Sequence, residues 1–235
     1  MTLLPIDDPR WRAFVEGHPR ATPFHHPDWA QLVADCYRFR VFAFAVADEH
    51  GSSQAGAPMV EVRQPLGRRR WVSLPFTDAC QPLAATADDE SALADALTAA
   101  ATEAGVSGVG VRAQLAGATQ LGEPALRHVL PLEPDPAAVY ARFHPSQVQR
   151  NIRRAEREGL TVRRGSNRAD LLDTFYGLHL RTRQRQGVPI QPRRFFELIW
   201  ERAISRGLGW VSIVESSGRP IAAALFLGWN GTVVY

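Results

Sequence analysis

Between Val41 and Val46 every position is apolar, with Val41, Ala43 and Ala45 on one side of an extended chain and Phe42, Phe44 and Val46 on the other. A strand apolar on both faces belongs inside a sheet that is covered on both sides, so "RVFAFAVADEHGS" predicts a central strand. Ahead of it, "PRWRAFVEG" predicts a short helix. "FHHPDWAQLVADCY" predicts a second, with Pro27 at an early position and Trp29, Leu32, Val33 and Cys36 at helical spacing. Trp29 is expected to pack this helix onto the sheet. After the central strand, "APMVEVRQPLGRRRWVSLPF" gives two strands around a turn at Gly67. An Ala-rich helix follows over 88–104, with Gly105 suited to its C-terminal cap. "VSGVGVRAQL" and "LRHVLPL" are expected to be strands.

From Pro134 the pattern changes. Pro134 and Pro136 open a helix through Val139, Tyr140 and Phe143, and Pro145 breaks it. Ser146 and Gln149 match a capping box for a helix whose stripe is Val148, Ile152 and Ala155. Gly159 ends that helix, with Leu160 placed for the contact of a Schellman ending, and "LTVRRG" predicts a short strand. Asn167 is the expected cap of a long helix with Asp170 in its first turn and Leu171, Phe175 and Leu178 inward. Gly187 ends it, and Pro192 starts another with Phe195, Phe196, Ile199, Trp200 and Ala203 inward. "GWVSIVES" and "RPIAAALFLGW" are strands joined at Ser217–Gly218, and "GTVVY" begins a third. The order of elements predicts two related α/β units, 1–132 and 133–235. The second is expected to be truncated before its last helix and strands.

Hydrophobic content of 45% and charged content of 22% are ordinary for a globular protein, and no run of eighteen apolar residues predicts a membrane span. The N-terminus "MTLLPIDDPRWRAF" carries acids and a proline where a signal peptide needs a basic and then an apolar stretch, which points to the cytoplasm. Cys36 and Cys80 are far apart and form no CxxC pattern, so buried thiols are expected. All 27 basic residues are arginine, which excludes Schiff-base lysine chemistry and the lysine of a phosphate-binding P-loop. Charge is uneven: residues 150–206 carry a net +8 and the remainder a net −5. The stretch "LHLRTRQRQGVPIQPRRFF" alone has five arginines and no acid. Such asymmetry points to an anionic partner for the C-terminal half, beside the plain alternative of a solvated basic surface.

The strings "FHHPDW", "LPFTDACQPL", "NIRRAEREGLTVRR", "FYGLHLRTRQRQGVPIQPRRFF" and "RPIAAALFLGWNGTVVY", in that order, resemble successive blocks of the FemAB-like acyltransferases of the GNAT-fold superfamily. The likeness runs from about Phe24 to Tyr235 and lies closer to the CelD-like and exosortase-associated branch than to the peptidoglycan enzymes. It implies an α/β (α+β) fold of two GNAT-like subdomains with mixed twisted sheets around a shared cleft. It also implies transfer of an acyl or aminoacyl group to an amine, in cell-envelope or exopolysaccharide biosynthesis. No tightly bound cofactor is implied; acyl-CoA or aminoacyl-tRNA would be the co-substrate, and the partner a phosphate-bearing donor or acceptor, with tRNA among the candidates. The usual GNAT pyrophosphate loop is not evident.

Acyl transfer to an amine needs a neutral amine, a held carbonyl and a stabilised oxyanion. Asp78 in "PFTDAC" is the candidate carboxylate to hold the amine or take its proton, chiefly because of its place in the family pattern; a turn-forming Asp is the alternative. Guanidinium forks suit phosphates, which makes Arg150, Arg153, Arg154, Arg181, Arg183 and Arg185 candidates for substrate binding. Gln191 would shape a rim, and Tyr235 lies where the family's cleft tyrosines begin. His25–His26 is weak as a metal pair, since adjacent side chains point apart and no further ligand cluster sits nearby. A competing reading is a non-catalytic basic module for RNA or another anionic polymer. Against it, Phe175, Phe195, Phe196 and Trp200 fall on apolar stripes and do not interleave with the arginines as stacking residues would.

Overall fold

The computed structural model describes residues 2–49, 51–64, 67–77, 79–113, 115, 118–119 and 126–235. The two-faced strand sits where its pattern requires. It is β2 (Arg40–Ala47), flanked by β1 (Thr2–Pro5) and β3 (Ser53–Arg63). The first sheet continues through β4 (Arg69–Ser73), with β5 (Leu83–Ala84) pairing β3 at Ala55 and Gly56. At its far edge β6 (Val109–Gly110) pairs β4 in parallel, while the other pairings are antiparallel. Helices α1 (Pro9–Gly17) and α2 (Pro27–Tyr37) cover one face, where Ala43 and Ala45 meet Trp11, Trp29 and Leu32. Helix α3 (Ala87–Glu103) covers the other, where Phe42 and Phe44 meet Met59, Trp71, Leu93 and Leu97.

The small residues on the α1/α2 face let the helices approach closely. At Gly56 a Cβ would stand 2.8 Å from both the Phe44 carbonyl and the Trp11 ring, so the indole lies directly on the backbone there. Thr86 and Asp89 form a full capping box at the start of α3.

The second half begins with α4 (Pro136–Ala141), a wide π-type turn over Pro145–Gln149, and α5 (Arg150–Arg157), none of which buries a residue. Its sheet runs β10 (Thr232–Val234), β9 (Arg219–Trp229), β8 (Gly209–Ser216) and β7 (Thr161–Arg164), antiparallel throughout. A π-wound segment, Asp170–Phe175, leads into α6 (Tyr176–Gln186), and α7 (Arg193–Arg202) follows. Leu171, Phe175, Phe195, Leu198 and Ile199 from these segments join Trp29, Leu32 and Val33 in a single core, so the main core crosses from one half to the other. On the outer face of this sheet Trp210 stacks on Phe226 at 5.2 Å, and the Arg164 guanidinium lies 4.9 Å from the Trp210 ring.

The halves are fastened at several points. Helix α2 packs against α7, with Trp29 and Tyr37 both against the Phe195 ring. Arg202 pairs with Asp35, and Arg206 reaches Asp28 at 2.9 Å. The Asn230 amide donates to the carbonyls of His18 (3.1 Å) and Ala21 (2.9 Å). Asn230 adopts a left-handed φ of 50°, which Asn tolerates better than most residues.

Four sequence expectations change. "LRHVLPL" forms no strand among the described residues; Leu130 and Leu132 remain 48% and 65% exposed, because alternation without a sheet edge beside it has nothing to pair with. Among the described residues of "VSGVGVRAQL", only Val109–Gly110 forms a strand. The Ser146–Gln149 box is not made: the Gln149 amide donates to the carbonyls of Tyr140 (3.2 Å) and Phe143 (3.0 Å) at the end of α4. Asn167 does cap at Asp170 N (3.1 Å), but the turns that follow are π-wound, with Asp170 drawn inward to Arg163 at 2.7 Å and to Ser166 N at 2.8 Å.

Candidate functional site

The segment after β4 is braced on both sides of Asp78, which itself lies outside the described residues. Before it, the buried Thr77 hydroxyl donates to the Leu74 and Pro75 carbonyls, and Arg112 Nη1 donates to the Thr77 carbonyl at 3.0 Å. The Arg112 amide also bonds Ser73 Oγ at 2.8 Å. After it, the Gln81 carbonyl accepts from His25 Nε2 at 2.8 Å. Within this brace Phe76 takes a φ of 60°. That region costs a bulky residue roughly 1–3 kcal/mol, and such strain persists only where the surroundings hold it.

The Phe76 ring is 42% exposed. It stacks on Tyr37 at 4.5 Å and 22°, and leans on Phe195 at 5.8 Å. Tyr37 in turn stacks on Phe39 at 5.8 Å and 23°. Rings from α2, the α2–β2 connection, the post-β4 loop and α7 thus meet at one end of the seam between the halves. The band continues through Phe196, 5.6 Å from Phe195, to His179, 6.0 Å from Phe196. Burial, then Arg183, lower the pKa of His179, against a hydrogen bond with Gln191 that raises it. Deeper in the seam a cavity of about 10 Å³ beside Trp29 and Trp229 has room for one water at most.

Neither cysteine offers a ready nucleophile. Burial pushes the Cys80 thiol up to about 12, and it also raises Cys36, against a hydrogen bond from Tyr37.

The candidate arginines fall into separate groups. Arg150 and Arg153 line an open concavity with Pro145, Ser146 and Arg157; no arginine of α6, nor Gln191 or Tyr235, lines it. Arg153 reaches Gln149 Oε1 at 3.3 Å, while Arg150 and Arg157 have no acidic partner among the described residues. Three guanidinium groups around one hollow with no acid between them form an anion-attracting surface. Arg154 points elsewhere and pairs with Glu158 at 2.7 Å. On α6, Arg181 donates to the Gly177 carbonyl at 3.2 Å and Arg185 to Thr182 Oγ1 at 3.4 Å, both exposed. Arg183 is half-buried with its Nε unpartnered. Arg193 and Arg194 are engaged in ion pairs, with Asp173 and with Glu197 and Glu201. Tyr235 is 92% exposed on the outer face of the second sheet, 5.9 Å from Phe226.

Sequence reasoning missed Arg157, whose charge was legible but whose place in the hollow was not. It also missed Phe76 and Tyr37, whose role depends on a backbone conformation that no residue type at that position signals.

Residues 142–235 match the family model described as "Acetyltransferase (GNAT) domain". Among solved structures the chain is similar to one titled "Crystal structure of FemX", with a TM-score of 0.65 over 91% of this chain at 18% identity. The chain has a FemX-like GNAT fold. It spans 57% of the length of that FemX chain. Both findings agree with the FemAB-like resemblance carried by the five sequence strings. No curated protein matches the sequence. Among the described residues no helix is long and apolar enough to cross a membrane.

Proposed function

We propose that this chain belongs to an N-acyltransferase that passes an acyl or aminoacyl group to an amine acceptor in cell-envelope or exopolysaccharide biosynthesis in the cytoplasm. The match of residues 142–235 to a GNAT acetyltransferase domain carries this reading, and the FemX-like fold across both halves supports it. The two units, 1–132 and 133–235, would each supply part of the site. In the first, the braced loop after β4 would present Asp78 to the acceptor amine. In the second, the hollow of Arg150, Arg153 and Arg157 would hold phosphate groups of the donor or acceptor.

The amine nitrogen would attack the acyl carbonyl, forming the C–N bond. Collapse of the tetrahedral centre would break the C–S bond of an acyl-CoA or the C–O bond of an aminoacyl-tRNA. The proton lost by the amine would pass through Asp78 to the departing thiolate or ribose oxygen. With no reactive cysteine or lysine to form a covalent intermediate, the rate would come mainly from orientation.

Thermal-shift titration with acetyl-CoA, longer acyl-CoAs, UDP-linked muropeptide and tRNA tests the reading, followed by mass spectrometry of the acceptor amine. Stabilisation by an acyl donor together with an acylated product supports it. Stabilisation by RNA alone, with no acceptor modified, replaces it with the binding-module reading.

A further inference from the structure

Phe39, Tyr37 and Phe76 form a column of three nearly parallel rings, and the last of them is 42% exposed. The strained φ of 60° places Phe76 at the end of that column. Glycine or asparagine would adopt this backbone with less strain. The loop is nevertheless locked around a phenylalanine by the Thr77 hydroxyl and by Arg112. Arg38 follows Tyr37 in the chain. It closes α2 in the left-handed region at φ 58°, is exposed, and has no acidic partner among the described residues. An exposed aromatic face takes a flat heteroaromatic ring by stacking, and an exposed arginine one residue along the chain from the column is a candidate to meet the phosphate attached to it.

We infer that Phe76 is a stacking platform for a nucleobase, with Arg38 set to meet the adjoining phosphate. This deepens the reading given under Proposed function, because it names the part of the donor or acceptor that the loop would hold two residues from Asp78. A base in this place would leave the remainder of the molecule free to extend along the seam. An adenine would come from a CoA or the end of a tRNA, a uracil from a uridine-linked acceptor.

Calorimetric titration of the 235-residue chain with AMP, UMP and coenzyme A tests the inference directly, with no requirement for turnover. The wild type should bind at least one of the three, and the preferred base identifies the source. Phe76→Leu and Phe76→Gly should each weaken that binding about 10-fold or more, while Phe76→Trp stays within about 3-fold. Arg38→Ala should weaken AMP or UMP more than the free nucleoside. Phe76→Gly relieves the left-handed backbone but loses the ring contacts with Tyr37 and Phe195, so it and Phe76→Leu should both keep a cooperative thermal transition, which separates lost binding from lost folding. Failure of the wild type to bind any of the three at millimolar concentration overturns the inference. So does equal binding by wild type, Phe76→Leu and Phe76→Gly. Nucleotide binding that depends on Phe76 without any acyl transfer would leave this inference standing and remove the transferase reading; transfer that is indifferent to Phe76 would do the reverse.

Discussion

Acidification should destabilise this protein through His25. The imidazole is 1% exposed, and both of its nitrogens are committed. Nδ1 accepts from the Thr22 amide at 3.0 Å and lies 2.9 Å from the Thr22 hydroxyl, while Nε2–H donates to the Gln81 carbonyl at 2.8 Å. A second proton would have to sit on Nδ1, facing the Thr22 N–H. Burial pushes the His25 pKa down to about 4; the Gln81 bond opposes this and His18 adds to it. An unfolded histidine titrates near 6.5, so below that pH the unfolded chain gains a proton that the native state refuses. The stabilisation is fully present above about pH 6.5, declines as the pH falls, and is gone once the pH has passed the folded value of about 4. A span of about 2.5 pH units at about 1.4 kcal/mol each amounts to about 3 kcal/mol. Urea unfolding followed by tryptophan fluorescence between about pH 7.5 and 4.5 measures it. The matching variant is His25→Gln, which retains a donor for the Gln81 carbonyl and an acceptor for Thr22 but does not titrate. His18 and His26, whose pKa values burial also lowers, act in both proteins and cancel in the comparison. Wild type should lose about 2–3 kcal/mol more than the variant over this range. Parallel pH profiles would refute the assignment of a buried, neutral His25.

Three further outcomes test the packing. Asn230→Ala removes both amide bonds to His18 and Ala21 and places alanine at a φ of 50°, so it should cost about 2–3 kcal/mol, with Asn230→Gly costing less; equal effects in denaturant would mean that the backbone conformation contributes nothing. Gly56→Ala puts a methyl 2.8 Å from the Phe44 carbonyl and the Trp11 ring and should destabilise by about 1–3 kcal/mol, read as a lower thermal midpoint, whereas a neutral effect would show that the indole can yield. Arg206→Ala breaks a half-exposed ion pair with Asp28 and should change stability by less than about 1 kcal/mol, less again in high salt; a large, salt-insensitive loss would make that pair part of the core linkage between the halves.

Elements whose apolar period was long and clean were legible in the sequence. The alternation of Val41–Val46 gave a central strand and even divided its residues correctly between two cores, because a strand's side-chain period is fixed by backbone geometry alone. Short elements were not legible: β1 and β5 hold two to four residues, and their pairing is decided by a neighbouring strand distant in sequence. The site was harder still. Charge showed that the C-terminal half is basic, but not that Arg193 would be taken up by Asp173, twenty residues away, while Arg150 and Arg157 have no acidic partner among the described residues. His25 and His26, weak as a metal pair, instead accept backbone amides, His26 Nδ1 from Asp28 N at 3.2 Å, and so fix the chain between α1 and α2.

The way the halves are joined bears on how such a site can work. Opening a hinge between α2 and α7 would expose Trp29, Leu32, Phe195 and Ile199, all nearly buried, and would part Asn230 from its two carbonyls. Burying an aliphatic or aromatic side chain of this size contributes about 1.5–3 kcal/mol each, so a wide opening would consume most of a domain's net stability. The loop after β4 therefore keeps fixed neighbours on both sides, Tyr37 from one half and Phe195 from the other. A group presented from that loop is held by the assembled core rather than by ligand-driven closure. Strain at Phe76 is sustainable for the same reason: relieving it would require moving a ring clamped by both halves. For a reaction whose demand is orientation, a braced loop on a closed seam is a more suitable mount than a mobile one.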